Sequence, residues 1–459
     1  QTPKKQPPPQ EASPVPTLPV PAPDLPQIEQ PPTAGSDASE SATPGMAAME
    51  LLEKFLAAKT LAERLPMIET QTPEAELVKS CLNGPLPVTS KIEIDAQETN
   101  SVEQVVDFYH NVDFVTDGKP INAHGGGILH HEGTYYWYGE IKEGKTYLPE
   151  VNKSWGGTRV DVVGVSCYSS TDLLNWKNRG NILPAVPGGD LDPKKVLERP
   201  KCVYNAKTKK FVLWFHSDTV NYAAAACGVA TSDSPTGPFT YLGNFRPNAN
   251  QWPVGMTEED KKDTESQLVK DFPVGQMARD MTVFVDDDGK AYLFAASEGN
   301  PTMQISELTD DYLKTTGKYA RVFLGRSMEA PAVFKRKGKY YLIASGCTAW
   351  APNAARSASA NSIWGPWTEL ENPCVVDKDD KTNKPEITFN SQGTFVLPVA
   401  GKPEKFIFMA DRWIKDDLAD SRYIWLPINF TGNGQPEIRW TDQWSPKSNI
   451  WCLFVSKTT

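Results

Sequence analysis

Short apolar runs broken by polar turn residues recur in five places along the chain, at residues 124–140, 200–216, 280–297, 326–345 and 393–410. Each stretch reads as a strand, a polar turn and a second strand rich in aromatic and branched residues. In the fourth, Glu329-Ala-Pro-Ala-Val-Phe turns at Lys337-Gly338-Lys339 into Tyr340-Tyr341-Leu-Ile-Ala. Each is trailed by further strand-like or turn sequence, such as Ser170-Thr-Asp-Leu-Leu-Asn-Trp176 and Ser362-Ile-Trp-Gly-Pro-Trp367. The repeats are spaced by roughly 50–80 residues, more than the ~40–45 of a plain four-stranded blade, which leaves room for inserted loops. The pattern predicts an all-β fold, a five-bladed β-propeller over residues 118–459.

The preceding sequence follows other rules. Residues 1–45 hold 13 of the 39 prolines, with Ser, Ala, Gln and Thr between them. Such a stretch buries too little apolar surface to offset its ordering entropy, so an extended, disordered linker is expected. Between 46 and 117 the pattern changes to a helical one: Met49, Leu51, Leu52, Phe55, Leu56, Leu61 and Leu65 share one face, and 74–82 fits a second helix. A short helical extension or small module is expected there.

Charge and composition narrow the partners. A net charge of −10 argues against nucleic acid or an anionic membrane surface. The 13 Trp, 15 Tyr and 18 Phe exceed what a core needs and suit a neutral, ring-shaped partner such as a sugar. No apolar run approaches the ~18 residues of a membrane span. A start at Gln1 followed by polar, Pro-rich sequence reads as a chain whose signal peptide has been removed, so a secreted, periplasmic or cell-surface monomer is expected. The seven cysteines form no C-x-x-C pair and no metal-ligand spacing, and five lie in or beside predicted strands, where a thiol acts as a small hydrophobe. Asp286-Asp-Asp-Gly289 reads as a hairpin turn rather than a calcium loop. No cofactor or metal is expected; no residue set specifies a channel calcium.

The innermost strand of each blade lines the channel of a propeller, so residues at its start converge on one axial pocket. Those residues are His124, Glu198 with Arg199, Arg279 with Asp280, Glu329 and Gln392. Three carboxylates, an imidazole and an amide thus meet from blades far apart in sequence. Together with Asn122-Ala-His-Gly-Gly-Gly, Glu198-Arg-Pro-Lys, Arg279-Asp-Met, Glu329-Ala-Pro, Ser391-Gln392 and Ala410-Asp-Arg-Trp413, the chain resembles glycoside hydrolase family 43 over residues 118–445. It is most similar to the branch of exo-acting β-1,3-galactanases, in which His-Gly replaces the Asp-Pro of the wider family at the first blade.

The resemblance implies five blades and cleavage of glycosidic bonds with inversion. Inversion needs a protonated acid at the leaving oxygen and a group holding water on the opposite face, roughly 6.5–9.5 Å away. Glu329 takes the acid's position and Asp280 that of the neighbouring charge which raises its pKa. Gln392 is implied as base or water positioner, although an ordinary amide is a poor base; Glu198 competes for the role, and is otherwise a ligand of the terminal sugar. Glu140, His124, Tyr222, Asn300, Thr348 and Trp350 are the further implied substrate contacts. Simpler readings stand beside these. Glu329 could pair with Arg326, Asp280 with Arg279 and Glu198 with Arg199; His124 could be a satisfied core histidine, and Asp411 with Arg412 an ion pair locking the last blade. The implied substrate is β-1,3-galactan of arabinogalactan type. A β-galactofuranosidase or α-L-arabinofuranosidase, and a non-catalytic carbohydrate-binding propeller, are the alternatives.

Overall fold

The computed structural model describes residues 115–446, apart from 117, 443 and 445. The linker, nearly all of the helical segment, Cys81 and Cys452 lie outside the described residues. Five antiparallel sheets follow one another along the chain as five blades. Blade I comprises His124–His131, Thr134–Glu140, Gly164–Ser170 and Lys177–Pro184. Blade II comprises Val196–Asn205, Lys210–Asp218, Ala226–Ser232 and Thr240–Phe245. Met281–Val285, Ala291–Ser297, Thr302–Leu308 and Thr315–Val322 make blade III; Met328–Arg336, Lys339–Gly346, Arg356–Ala360 and Thr368–Leu370 make blade IV. Blade V is built from Gln392–Pro398, Phe406–Arg412, Arg422–Phe430 and Pro436–Arg439, with Cys374–Val375 added in parallel at its edge.

The ring closes because each blade is apolar on both faces. Five separate cores lie between consecutive blades, and the fifth joins Ile128, Trp137 and Tyr168 of blade I to Leu397, Met409 and Trp425 of blade V. Three tryptophans meet edge-on in that closing core, Trp137 with Trp176 at 5.5 Å and Trp176 with Trp425 at 6.1 Å. The Asp286 turn is a hairpin, and its carboxylate fastens blade III to blade IV through Lys335 and Tyr340. Cys167, Cys202, Cys227 and Cys374 are buried free thiols packed as small hydrophobes.

What positions the site is an irregularity at the channel end of the inner hairpins. In blades I, II and IV the register slips just after the pairs His124–Glu140, Glu198–His216 and Glu329–Ser345, and in blade V one pair beyond Gln392–Asp411, after Gly393–Ala410. Such bulges bend the strand and re-aim a side chain. The residue following the mouth position is left-handed in three blades: Gly125 (φ 59°), Arg199 (φ 55°) and Ala330 (φ 53°). At Gly125 only glycine fits, because a Cβ would lie 2.1 Å from Glu140 Oε1. For Arg199 and Ala330 the same turn costs about 1–3 kcal/mol each, a local strain typical of residues held for function.

Candidate active site

The five mouths open on one cavity of about 350 Å³, lined among others by Glu140, Glu198, Asp280, Glu329, Trp350 and Gln392. That volume is at the lower end of the roughly 300–1,000 Å³ of small-molecule sites, room for a chain end rather than a length of polysaccharide.

Arg199 is the centre of the floor. Its Nε pairs with Asp280 Oδ2 at 3.0 Å, its Nη2 donates to Gln392 Oε1 at 2.6 Å, and its main-chain N–H donates to Glu140 Oε1 at 2.9 Å. Asp280 Oδ2 also accepts from the Ala330 N–H at 3.1 Å, directly beside the acid candidate. Gln392 is held at both ends: its oxygen also accepts from Trp413 Nε1 at 2.9 Å, and its amide nitrogen donates to Glu329 Oε1 at 3.1 Å and Ser345 Oγ at 2.9 Å. Because Arg and Trp can only donate, the amide orientation is fixed by its partners.

Charge is distributed so that one carboxyl is left over. Glu140 pairs with Lys142 at 2.5 Å, Glu198 faces His216 Nδ1 at 3.4 Å, and Asp280 has Arg199. Burial works against ionising Glu198, yet His216 and Lys142 hold it down at about 2, while Asp218 and Glu198 overcome burial to push His216 up to about 9. Among the described residues Glu329 has no ion-pair partner, and its Oε1 accepts from the Gln392 amide. Burial first, then the charge of Asp280, push its pKa up to about 8. It therefore carries a proton at neutral pH, the condition for a general acid. The kcat/KM of the enzyme is expected to fall as pH rises through about 8, where this proton is lost. A pH–rate profile checks it, and a profile flat to pH 9.5 would remove Glu329 from the role.

Most sequence-predicted residues are brought together: Glu329, Asp280, Gln392, Glu198, Glu140, Tyr222, Asn300 and Trp350 line the cavity. Tyr222 donates to Glu198 Oε1 at 2.7 Å, and Asn300 accepts from Arg279 Nη1 at 3.2 Å. Two residues expected as substrate contacts are not among those lining the cavity. His124 is 1 % exposed and lies beneath the pocket, its Nδ1 donating to Asp411 Oδ1 at 3.1 Å and its ring stacked on Tyr423. Thr348 donates to Ala351 O and accepts from Asn353 Nδ2, both at 2.6 Å, so its hydroxyl is used within its own loop.

The simpler pairings are also replaced. Arg326 bonds Glu369, Arg279 bonds Tyr222 O and Asn300, and Arg412 donates to Phe389 O while Asp411 serves His124 and the Gly125 N–H. Sequence reasoning missed His216, Trp413 and Trp155 as pocket residues, and it gave Arg199 no partner beyond Glu198. His216 had a legible signal: it lies near the end of the outgoing strand, paired with Glu198 as Glu140 is with His124. Glu198, His216 and Asp280 also place one donor atom each within 4.8 Å of one another. Each is engaged by the protein in this structure: Tyr222 and His216 bind Glu198, Asp218 binds His216 and Arg199 binds Asp280.

A buried, proton-bearing carboxyl at the axial mouth of a five-bladed propeller, with a second carboxyl from the preceding blade beside it, is an arrangement suited to cleaving glycosidic bonds. Residues 122–418 match the profile of glycosyl hydrolases family 43, and the chain belongs to that family. A solved family 43 β-1,3-galactosidase, in complex with galactodeoxynojirimycin, is 44% identical, over 73% of this chain and 98% of that one, with a TM-score of 0.66. An exo-β-1,3-galactanase variant from Phanerochaete chrysosporium, solved with β-1,3-galactotriose, is 36% identical, over 73% of this chain and 67% of that one, with a TM-score of 0.58. A xylan 1,3-β-xylosidase from a Vibrio species is 24% identical over 235 residues; the match takes in 47% of this chain and 38% of that relative's length.

Proposed function

We propose that this protein is an exo-acting, inverting hydrolase that releases galactose from β-1,3-linked galactan of arabinogalactan type. The observation that carries the chemistry is the unpaired, proton-bearing Glu329 held beside the Arg199-bound Asp280. The substrate rests on the likeness to a β-1,3-galactosidase and an exo-β-1,3-galactanase, and on a cavity sized for a chain end. In this reading Glu329 protonates the leaving glycosidic oxygen as the bond to the terminal anomeric carbon breaks, and water attacks that carbon from the opposite face.

Two residues meet the requirement for the group that holds the water, and they predict different variants. Gln392 has the position implied by the family pattern, but both Oε1 lone pairs are taken by Arg199 and Trp413, so one of these has to release it before it can accept from water. Glu198 is ionised and keeps acceptor capacity beyond Tyr222 and His216. If Gln392 holds the water, Gln392→Ala lowers kcat by at least about 10² with galactose binding little changed. Full activity in that variant, with loss in Glu198→Gln rescued by azide, would transfer the role.

The reading as a whole is tested by incubating the enzyme with β-1,3-galactan, aryl β-galactopyranosides, aryl β-galactofuranosides and aryl α-L-arabinofuranosides, and following the first product by NMR. Release of galactose as the α-anomer is expected. Turnover of a furanoside with none of the galactan would overturn the substrate, and binding without any turnover would make the protein a carbohydrate-binding propeller.

A further inference from the structure

The connection between Glu140 and Gly164 in blade I is a long insertion, residues 141–163, that carries a two-residue hairpin, Thr146–Tyr147 with Arg159–Val160. It is internally organised. Arg159 pairs with Asp161 at 2.6 Å and lies 4.4 Å over the Tyr147 ring, and Asn152 Nδ2 donates to Gly157 O at 2.7 Å. It also reaches across the axial mouth. Blades II and IV are not neighbours in a five-bladed ring, yet this one segment touches loops of both. Trp155 stands edge-on to Tyr222 of blade II at 5.3 Å and 6.5 Å from Trp350 of blade IV, whose Nε1 donates to Thr158 O at 2.7 Å. Trp155 lines the cavity.

Three observations single out Trp155. Its six-membered ring rests on Gly157, where a Cβ would come within 2.3 Å of it, so the backbone beneath is shaped to seat an indole. Trp350 and Trp413 use their indole nitrogens on Thr158 O and Gln392 Oε1, whereas the Nε1 of Trp155 is buried without a hydrogen-bond partner. A buried donor of this kind is destabilising until something accepts from it. The neighbouring acceptor-rich position of the pocket is the one where Glu198 and Tyr222 meet, the expected place of the terminal sugar.

We propose that Trp155 is a specificity residue of the terminal-sugar subsite: its ring packs against the sugar's apolar face, its indole N–H donates to a sugar hydroxyl, and the 141–163 strap that carries it forms one wall of the pocket. This rests on the reading of the cavity as a subsite for a non-reducing chain end. An aromatic ring with one polar edge suits a sugar, which presents an apolar face rimmed by hydroxyls.

The test uses whichever aryl glycoside the wild-type enzyme turns over, so that a furanoside preference would overturn the galactan reading and leave this test intact. Trp155→Phe keeps a ring and removes the N–H; it is expected to lower kcat/KM about three- to tenfold, mostly through KM. Trp155→Ala removes both and is expected to cost roughly 30- to 100-fold, with product inhibition by the released monosaccharide weakened in parallel. Both variants should melt within a few degrees of wild type. Wild-type kinetics in Trp155→Phe would overturn the hydrogen bond, and wild-type kinetics in Trp155→Ala would overturn the contact altogether. A loss confined to kcat with a lowered melting temperature would also overturn it, marking a purely structural role.

Discussion

Glu329→Gln is expected to lower kcat on β-1,3-galactan by about 10²–10⁴, the usual contribution of a general acid, while making the folded protein more stable at neutral pH. The two effects have one cause. In the folded state Glu329 holds its proton up to about pH 8 because it is buried beside ionised Asp280, whereas in the unfolded chain it ionises near the ordinary value of 4.5. A raised carboxyl pKa means that stability is lost as pH climbs from about 4.5 to about 8, since the unfolded chain releases a proton that the native state retains. At pH 7 the penalty is on the order of 3 kcal/mol, and the amide, which cannot ionise, removes it. The melting temperature of Glu329→Gln should therefore exceed that of wild type at pH 7–8, and the two should converge towards pH 4.5. An activated aryl glycoside separates the acid's role from general damage: a nitrophenolate leaves without a proton, so the loss of kcat there should be at least tenfold smaller. Equal losses on both substrates, or wild-type turnover of galactan, would show that Glu329 does not protonate the leaving group.

The fold and the outline of the site were legible in the sequence for the same reason. A propeller blade is a local unit, so its strand–turn–strand pattern is written over a few tens of contiguous residues, and a polar residue at the start of a buried inner strand marks the channel mouth. Glu198, Asp280, Glu329 and Gln392 were found this way. Position in a repeat does not reveal which way a bulge turns a side chain. His124 occupies the same mouth position as Glu198 and Glu329, yet Asp411 captures it below the pocket. Arg199 was read as a partner of its neighbour Glu198, but its left-handed backbone sends the guanidinium instead to Asp280 and Gln392, two blades that no local rule connects. Trp155 lies in an insertion outside the repeat, so no register pointed to it.

Arg199 is where the second large effect is expected. Its guanidinium touches both Asp280 and Gln392, and it lowers the pKa of Glu329 against the opposing push of burial and Asp280. In Arg199→Ala, Asp280 becomes a half-buried carboxylate without its cation and Gln392 loses its shortest bond. Breaking a buried pair in this way costs about 3–5 kcal/mol of stability, and a misplacement of about 1 Å in the groups it orients costs about 10² in rate. The variant should fold with a lowered melting temperature and show kcat/KM reduced by at least about 10². Arg199→Lys restores the charge but not the planar fork that reaches two acceptors at once, so its activity should lie closer to Ala than to wild type. Among the remaining protein at permissive temperature, the alkaline limb of the pH–rate profile should move upward, because the cation that draws Glu329 towards ionisation has gone. A merely structural role would leave that limb in place, and full activity in Arg199→Lys would reduce the residue to a point charge. The upward shift is the decisive sign, since it ties the arginine of blade II to the proton on the acid of blade IV.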